Sequence, residues 1–199
     1  MVLLAVTAGN LILGAGRLYV APFGTTEPTD ASVTPNGTTT PPSSPWTDVG
    51  GTDGGVTYEV DTTYTPLNVD QIPMEIGARL TDMKIQVTTK MSEITFANLQ
   101  VAFNSLATTS VGSGYQTMDL QPSASSMQPT YAAAIIDGWA PLTAGGVPAL
   151  RRVIVRKVLS TAKAALVADK KSQQSLEVTM QAYWVSPSIS AIHWVDQTA

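Results

Sequence analysis

The chain contains no cysteine, only one histidine and three phenylalanines, and just 13% of its 199 residues are charged. Without cysteine, disulfide staples, thiolate zinc sites and thiol nucleophiles are excluded, while the compartment stays open, since both a reducing cytosol and an exposed particle tolerate such a composition. His193 stands alone on a carboxyl-terminal segment, and no Gly-x-Ser-x-Gly elbow or Walker-type phosphate loop accompanies it. Gly14-Ala-Gly16 lacks the third glycine of a dinucleotide loop and leads into a strand-like segment. No catalytic, metal or cofactor site is therefore expected, and with it no small-molecule substrate. Asp48 and Asp53 in the glycine-rich run Gly50–Gly55 do not have the carboxylate spacing of a helix-loop-helix calcium loop, so a glycine turn is the reading there.

Long apolar runs are also missing. Residues 1–16 are apolar but interrupted at Thr7, Gly9 and Asn10, carry no base before Arg17, and are too short to span a bilayer. They read as an extended arm buried against a neighbour, or as a first strand of the same subunit. No membrane association is expected. At 44% hydrophobic content the chain can bury one core, so a single domain over 1–199 is expected.

The net charge of -4 conceals an asymmetry. Residues 1–150 carry twelve acids against four bases, a net −8, and residues 151–199 carry seven bases against three acids, a net +4. Opposite patches of this kind suit head-to-tail association, although a solvated basic face gives the same count. An overall acidic chain does not suit tight DNA binding, which needs several bases on one surface.

Residues 24–45 are dense in Thr, Pro, Ser, Gly and Asn and should form a long loop, mobile until something packs on it. Two segments alternate cleanly. Over Leu80–Met91, Met83, Ile85, Val87 and Met91 oppose Asp82, Lys84, Gln86, Thr88 and Lys90; over Gln174–Val185, Leu176, Val178, Met180, Ala182 and Trp184 oppose Glu177, Thr179, Gln181 and Tyr183. Such alternation belongs to antiparallel sheet with one wetted face. Shorter strands are expected at Arg17–Pro22, Val56–Thr62, Tyr64–Val69, Tyr115–Leu120, Thr130–Ile136, Arg151–Leu159 and Ser190–Asp196. A helix is expected at Phe96–Asn104, capped by Thr95 or Ser92, and a second short one at Ala162–Lys170 unless that is a loop. The fold class is mainly β: a two-sheet β-sandwich or partly closed barrel with one flanking α-helix.

Four stretches carry a family resemblance: Gly16-Arg-Leu-Tyr-Val-Ala-Pro-Phe-Gly-Thr-Thr-Glu-Pro-Thr-Asp30, Pro45-Trp-Thr-Asp-Val-Gly-Gly-Thr-Asp-Gly-Gly-Val-Thr57, Val69-Asp-Gln-Ile-Pro73 and Glu93-Ile-Thr-Phe-Ala-Asn-Leu99. In composition and order they resemble bacteriophage major tail tube proteins, over most of the chain. The resemblance implies a structural virion protein whose copies form hexameric rings, with inner sheets merged into a barrel around a lumen, stacked into the conduit through which DNA leaves the capsid. It also implies assembly in the host cytoplasm and contacts with tape-measure, tail-terminator and baseplate or tip proteins. The tube component of contractile injection machines shares the architecture, so the tail type stays open. Terminator, connector and capsid-decoration roles stand as alternatives, followed by a secreted carbohydrate-binding sandwich and then an enzyme.

On this reading, residues 61–77 form a candidate stacking loop or hairpin. Asp61 and Asp70 are candidates to meet Arg151, Arg152 or Lys171 of an adjoining ring. Asp82, Lys84, Gln86, Thr88, Lys90, Glu177, Thr179 and Gln181 are candidates to line the lumen, with the opposite sheet as the alternative.

Overall fold

The computed structural model describes residues 14–33, 41–104, 107–120, 129–142, 146, 148–161 and 173–198. The arm proposed before Gly14, the middle of the 24–45 loop, the segment 162–170 and Lys171 lie outside the described residues.

Ten strands and one α-helix follow in order: β1 (Arg17–Pro22), β2 (Thr47–Asp48), β3 (Thr52–Val69), β4 (Ile72–Met91), α1 (Phe96–Ala102), β5 (Ala107–Gly112), β6 (Tyr115–Leu120), β7 (Ala132–Ala140), β8 (Ala149–Ser160), β9 (Leu176–Ala182) and β10 (Ile192–Asp196). All pairings among the named strands are antiparallel. The main sheet runs β2-β1-β7-β8-β9-β4-β3, and β5 with β6 makes a separate hairpin. One edge of β8 is shared: β10 takes Arg151–Val155 and β9 takes Val158–Ser160. The sheet does not close into a barrel, and the architecture is a mainly β, sandwich-type fold with α1 on its flank.

Alternation sorts the sheet into two faces. Leu18, Val20, Ile136, Val153, Val155, Val87, Met91, Leu176, Val178 and Met180 share one buried cluster with Leu99 and Ala102 of α1, and Phe96, Val101, Phe103 and Met118 pack around it. Thr95 caps α1 because its side-chain oxygen accepts the Asn98 backbone N–H at 3.2 Å. The Asn98 amide donates to the carbonyls of Val49 (2.8 Å) and Glu93 (2.6 Å), tying the helix to the segment before β3. Thr95→Ala should cost about 1 kcal/mol; urea unfolding should show a lower midpoint at unchanged slope.

The second face is smaller. Tyr19, Ala21, Ala133, Ile135 and Ile154 are sealed by Trp46, whose indole N–H donates to the Thr26 carbonyl at 3.0 Å. The described parts of the 24–45 loop are therefore a strap across this face, with its own polar anchors. Arg156 holds Glu27 with two hydrogen bonds, Arg152 reaches the Ser32 hydroxyl, and His193 Nε2 lies 3.1 Å from Asp30. For these residues of the loop expected to stay mobile until something packs on it, the subunit's own sheet supplies the packing.

Candidate functional site: a projecting hairpin and a polar sheet face

The separate strands expected at Val56–Thr62, Tyr64–Val69 and Leu80–Met91 are parts of one long hairpin. The β3–β4 ladder runs from Thr52↔Met91 to Val69↔Ile72, turning at Asp70 and Gln71. Its root bends at Gly54 and Gly55, where the register shifts; both have positive φ, +77° and +82°, and a β-carbon on either meets nothing within 4 Å, so backbone conformation alone calls for glycine. Gly50 is fixed differently. Its φ is +81° and an added β-carbon would strike the Glu93 carboxylate, which accepts the Gly51 N–H at 2.9 Å while Asp48 accepts that of Gly50 at 2.9 Å. The acids beside this glycine run thus bind backbone amides.

Beyond Gln86 the hairpin leaves the body. Pairing of β4 with β9 covers only Gln86 to Met91, so from Ile72 to Ile85 the strand pairs with β3 alone, and β3 is the last strand of the sheet. The fourteen residues from Ile85 to Ile72 extend about 45 Å at ~3.3 Å per residue. The core-side line of Ile85 and Val87 continues outward, but among the described residues it loses its cover. Val60, Tyr64, Ile76, Leu80 and Met83 are each about half exposed, and Met74 is 74% exposed. Met83, expected to face the core, is on the right side of its strand, but the core ends at Ile85. Trp184, also expected inward, is 70% exposed because β9 ends at Ala182 and the alternation continues past it. A second apolar projection is the tip of β5–β6, where Val111 and Tyr115 are exposed. Contiguous apolar surface on this scale marks a protein contact, and free strand edges beside it offer unpaired backbone groups to another chain.

The polar residues expected at the lumen come together. Gln86, Thr88 and Lys90 of β4 stand directly opposite Gln181, Thr179 and Glu177 of β9, and the Thr88 and Thr179 hydroxyls are 3.3 Å apart. On the other side the same residues meet Glu59, Thr57 and Asp53 of β3, while Lys84 faces Asp61 and Asp82 faces Thr63. These eight candidates, on β4 and β9, form one polar surface with the facing residues of β3, opposite the face that carries α1.

The charged candidates for ring contacts are scattered. Asp61 is on the polar face opposite Lys84, and Asp70 is at the hairpin tip. Arg151 is engaged within the subunit: its Nε and Nη2 donate to Asp196 at 2.6 and 2.7 Å, and its guanidinium lies 5.7 Å from the Trp194 ring centre, which meets Tyr58 edge-on at 5.4 Å. This bidentate pair raises the Arg151 pKa and lowers that of Asp196 below the usual carboxylate range. Arg152 is 1% exposed and lies on the strap side, donating to both Asp137 oxygens at 2.6 Å. An inter-ring role for Arg152 is withdrawn on this geometry, since its guanidinium is enclosed by its own subunit.

A family model described as phage tail tube protein matches residues 7–199. The chain belongs to the phage tail tube family. No curated protein matches it. As a tail tube protein it is a structural component of a virion tail, built to associate with itself and with other tail components. None of the described helices is long and apolar enough to cross a membrane.

Proposed function

We propose that this chain forms closed hexameric rings that stack coaxially into the tail tube through which phage DNA is ejected, without catalysis. The observation that carries the reading is the hairpin, whose exposed apolar face and outer strand edges leave the body without a strand partner among the described residues. Identical subunits joined by unlike surfaces make a ring when the rotation closes and a filament when it does not. A tube uses one interface of each kind.

The polar surface of β3, β4 and β9 is the candidate lumen wall. Asp82, Lys84, Gln86, Thr88, Lys90, Glu177, Thr179 and Gln181 lie on it together with Asp53, Glu59 and Asp61, five acids against two bases. Such a wall is wetted and weakly acidic, so it does not hold phosphates by counterion release and lets a DNA duplex slide. The passage is transient and independent of sequence. Axial neighbours, tape-measure, terminator and tip proteins are the further contacts, with assembly in the host cytoplasm.

Negative-stain microscopy of the purified protein tests this directly. Hollow, cross-striated filaments with six copies per ring are expected; compact particles that stay monodisperse at high concentration would sink the tube reading in favour of a terminator or decoration role.

A further inference from the structure

Two aspartates of the chain are followed directly by glycine, at Asp53-Gly54 and Asp137-Gly138. Such pairs share a reactivity. With no β-carbon on the second residue, its backbone nitrogen can approach the aspartate side chain closely and close a five-membered ring on it. The fold places the two copies of this dipeptide in opposite surroundings.

Asp53 lies at the root of the β3–β4 hairpin. It pairs with Lys90, and the adjacent residue of β4, Thr89, pairs with Val56, so Gly54 and Gly55 bulge from the ladder without a partner on β4. Asp53 and Gly54 are both exposed, and the space beside Gly54 is open. The neighbouring acids Asp48 and Glu93 hold backbone amides, whereas the Asp53 carboxylate has no hydrogen-bond or ion-pair partner among the described residues. Asp137 is the reverse. It is buried inside the sheet between β1 and β8, Arg152 holds both of its oxygens, and Gly138 stays in register opposite Arg151.

From this contrast we infer that Asp53 is a site of self-modification, converting to isoaspartate through a cyclic imide, while Asp137 is protected. The Gly54 nitrogen bonds to the Asp53 carboxyl carbon, the carbon–oxygen bond breaks, and the hydroxyl leaves as water with the amide proton. Water then adds to one of the two imide carbonyls. Opening at the side-chain carbonyl restores aspartate. Opening at the main-chain carbonyl breaks its bond to the Gly54 nitrogen, and the chain thereafter runs through the side-chain carbons. Water is the only co-reactant, lost in the first step and regained in the second. The product keeps its negative charge, now on the former main-chain carboxyl, but β3 is one backbone carbon longer at its second residue. The pairing of Thr52 and Asp53 with Met91 and Lys90 cannot keep its register across that insertion, so the altered chain is loosened at the foot of the hairpin.

Peptide mapping of the full-length protein, held warm at neutral pH in heavy-oxygen water, tests the assignment. Electron-transfer fragmentation breaks isoaspartate between its α- and β-carbons and so locates each product, which keeps Asn36-Gly37, whose asparagine closes the same imide, apart from Asp53. Isoaspartate carrying heavy oxygen is expected at Asp53, with conversion at Asp137 lower by at least about tenfold, because that site reacts only when its ladder opens. In urea both sites should convert. Asp53→Glu, whose longer side chain has to close a less favourable six-membered ring, should leave position 53 unmodified in the folded protein. Absence of isoaspartate at Asp53 in the folded chain, over a time in which the urea-unfolded chain forms it, would overturn the inference. Equal conversion of Asp53 and Asp137 in the folded protein would overturn it as well.

Discussion

Replacing Tyr64–Thr81 by Asn-Gly yields a subunit that folds as before and does not lengthen into tubes. The new turn joins Thr63 to Asp82, which already face each other in the ladder, and Asn-Gly favours the type I′ geometry of a two-residue hairpin. None of the removed side chains belongs to the buried clusters, so the thermal midpoint should move by no more than a few degrees. The deletion removes Tyr64, Leu67, Val69, Ile72, Met74, Ile76 and Leu80, all exposed hydrophobics. Solubility should rise as polymer disappears, and sedimentation velocity alongside microscopy reads both. Tubes of ordinary length from the shortened chain would refute the assignment of assembly to the hairpin.

The second large effect is expected inside the subunit. Arg152 and Asp137 are direct cross-strand partners on β8 and β7, 1% and 5% exposed, joined by two hydrogen bonds of 2.6 Å. Arg152→Met leaves the Asp137 carboxylate buried without its cation, a loss of about 3–5 kcal/mol. For a chain of this size that corresponds to a fall of roughly 6–20 °C in Tm. The double change Arg152→Met with Asp137→Leu should recover most of the loss, because it removes both charges from the same low-dielectric site. Calorimetry on the two variants checks the claim; equal destabilisation of single and double variants would show that the strap contact to Ser32, rather than the pair, carries the energy.

These two sites also differ in how far the sequence reveals them. The β1 and β6 ranges and the start of α1 are legible because local signals suffice: alternation flanked by glycine or proline, and a threonine cap before an apolar helical stripe. The polar surface is legible as well, since alternation in two strands names its members before their pairing is known. The pairing of Arg152 with Asp137 is not legible, because it depends on which strand lies beside β8. A run of bases at Arg151 to Lys157 reads as surface charge, yet three of its members are tied to Asp196, Asp137 and Glu27.

The strap fails for a related reason. Glu27, Asp30, Ser32 and Trp46 have no periodicity, and each finds its partner far along the chain. The composition of 24–45 reports only the absence of a repeating apolar face. β5 escapes notice because Ala-Thr-Thr-Ser-Val-Gly has no alternating apolar line in its sequence. Met83 and Trp184 show the opposite limit: alternation gives the side of a strand correctly, but not where the cover on that side ends.

An arm that leaves the body in one direction gives any chain of such subunits a polarity. Under the stacking proposed above, the two ends of a tube are unlike, and the proteins that start and stop its growth meet different surfaces of the same subunit.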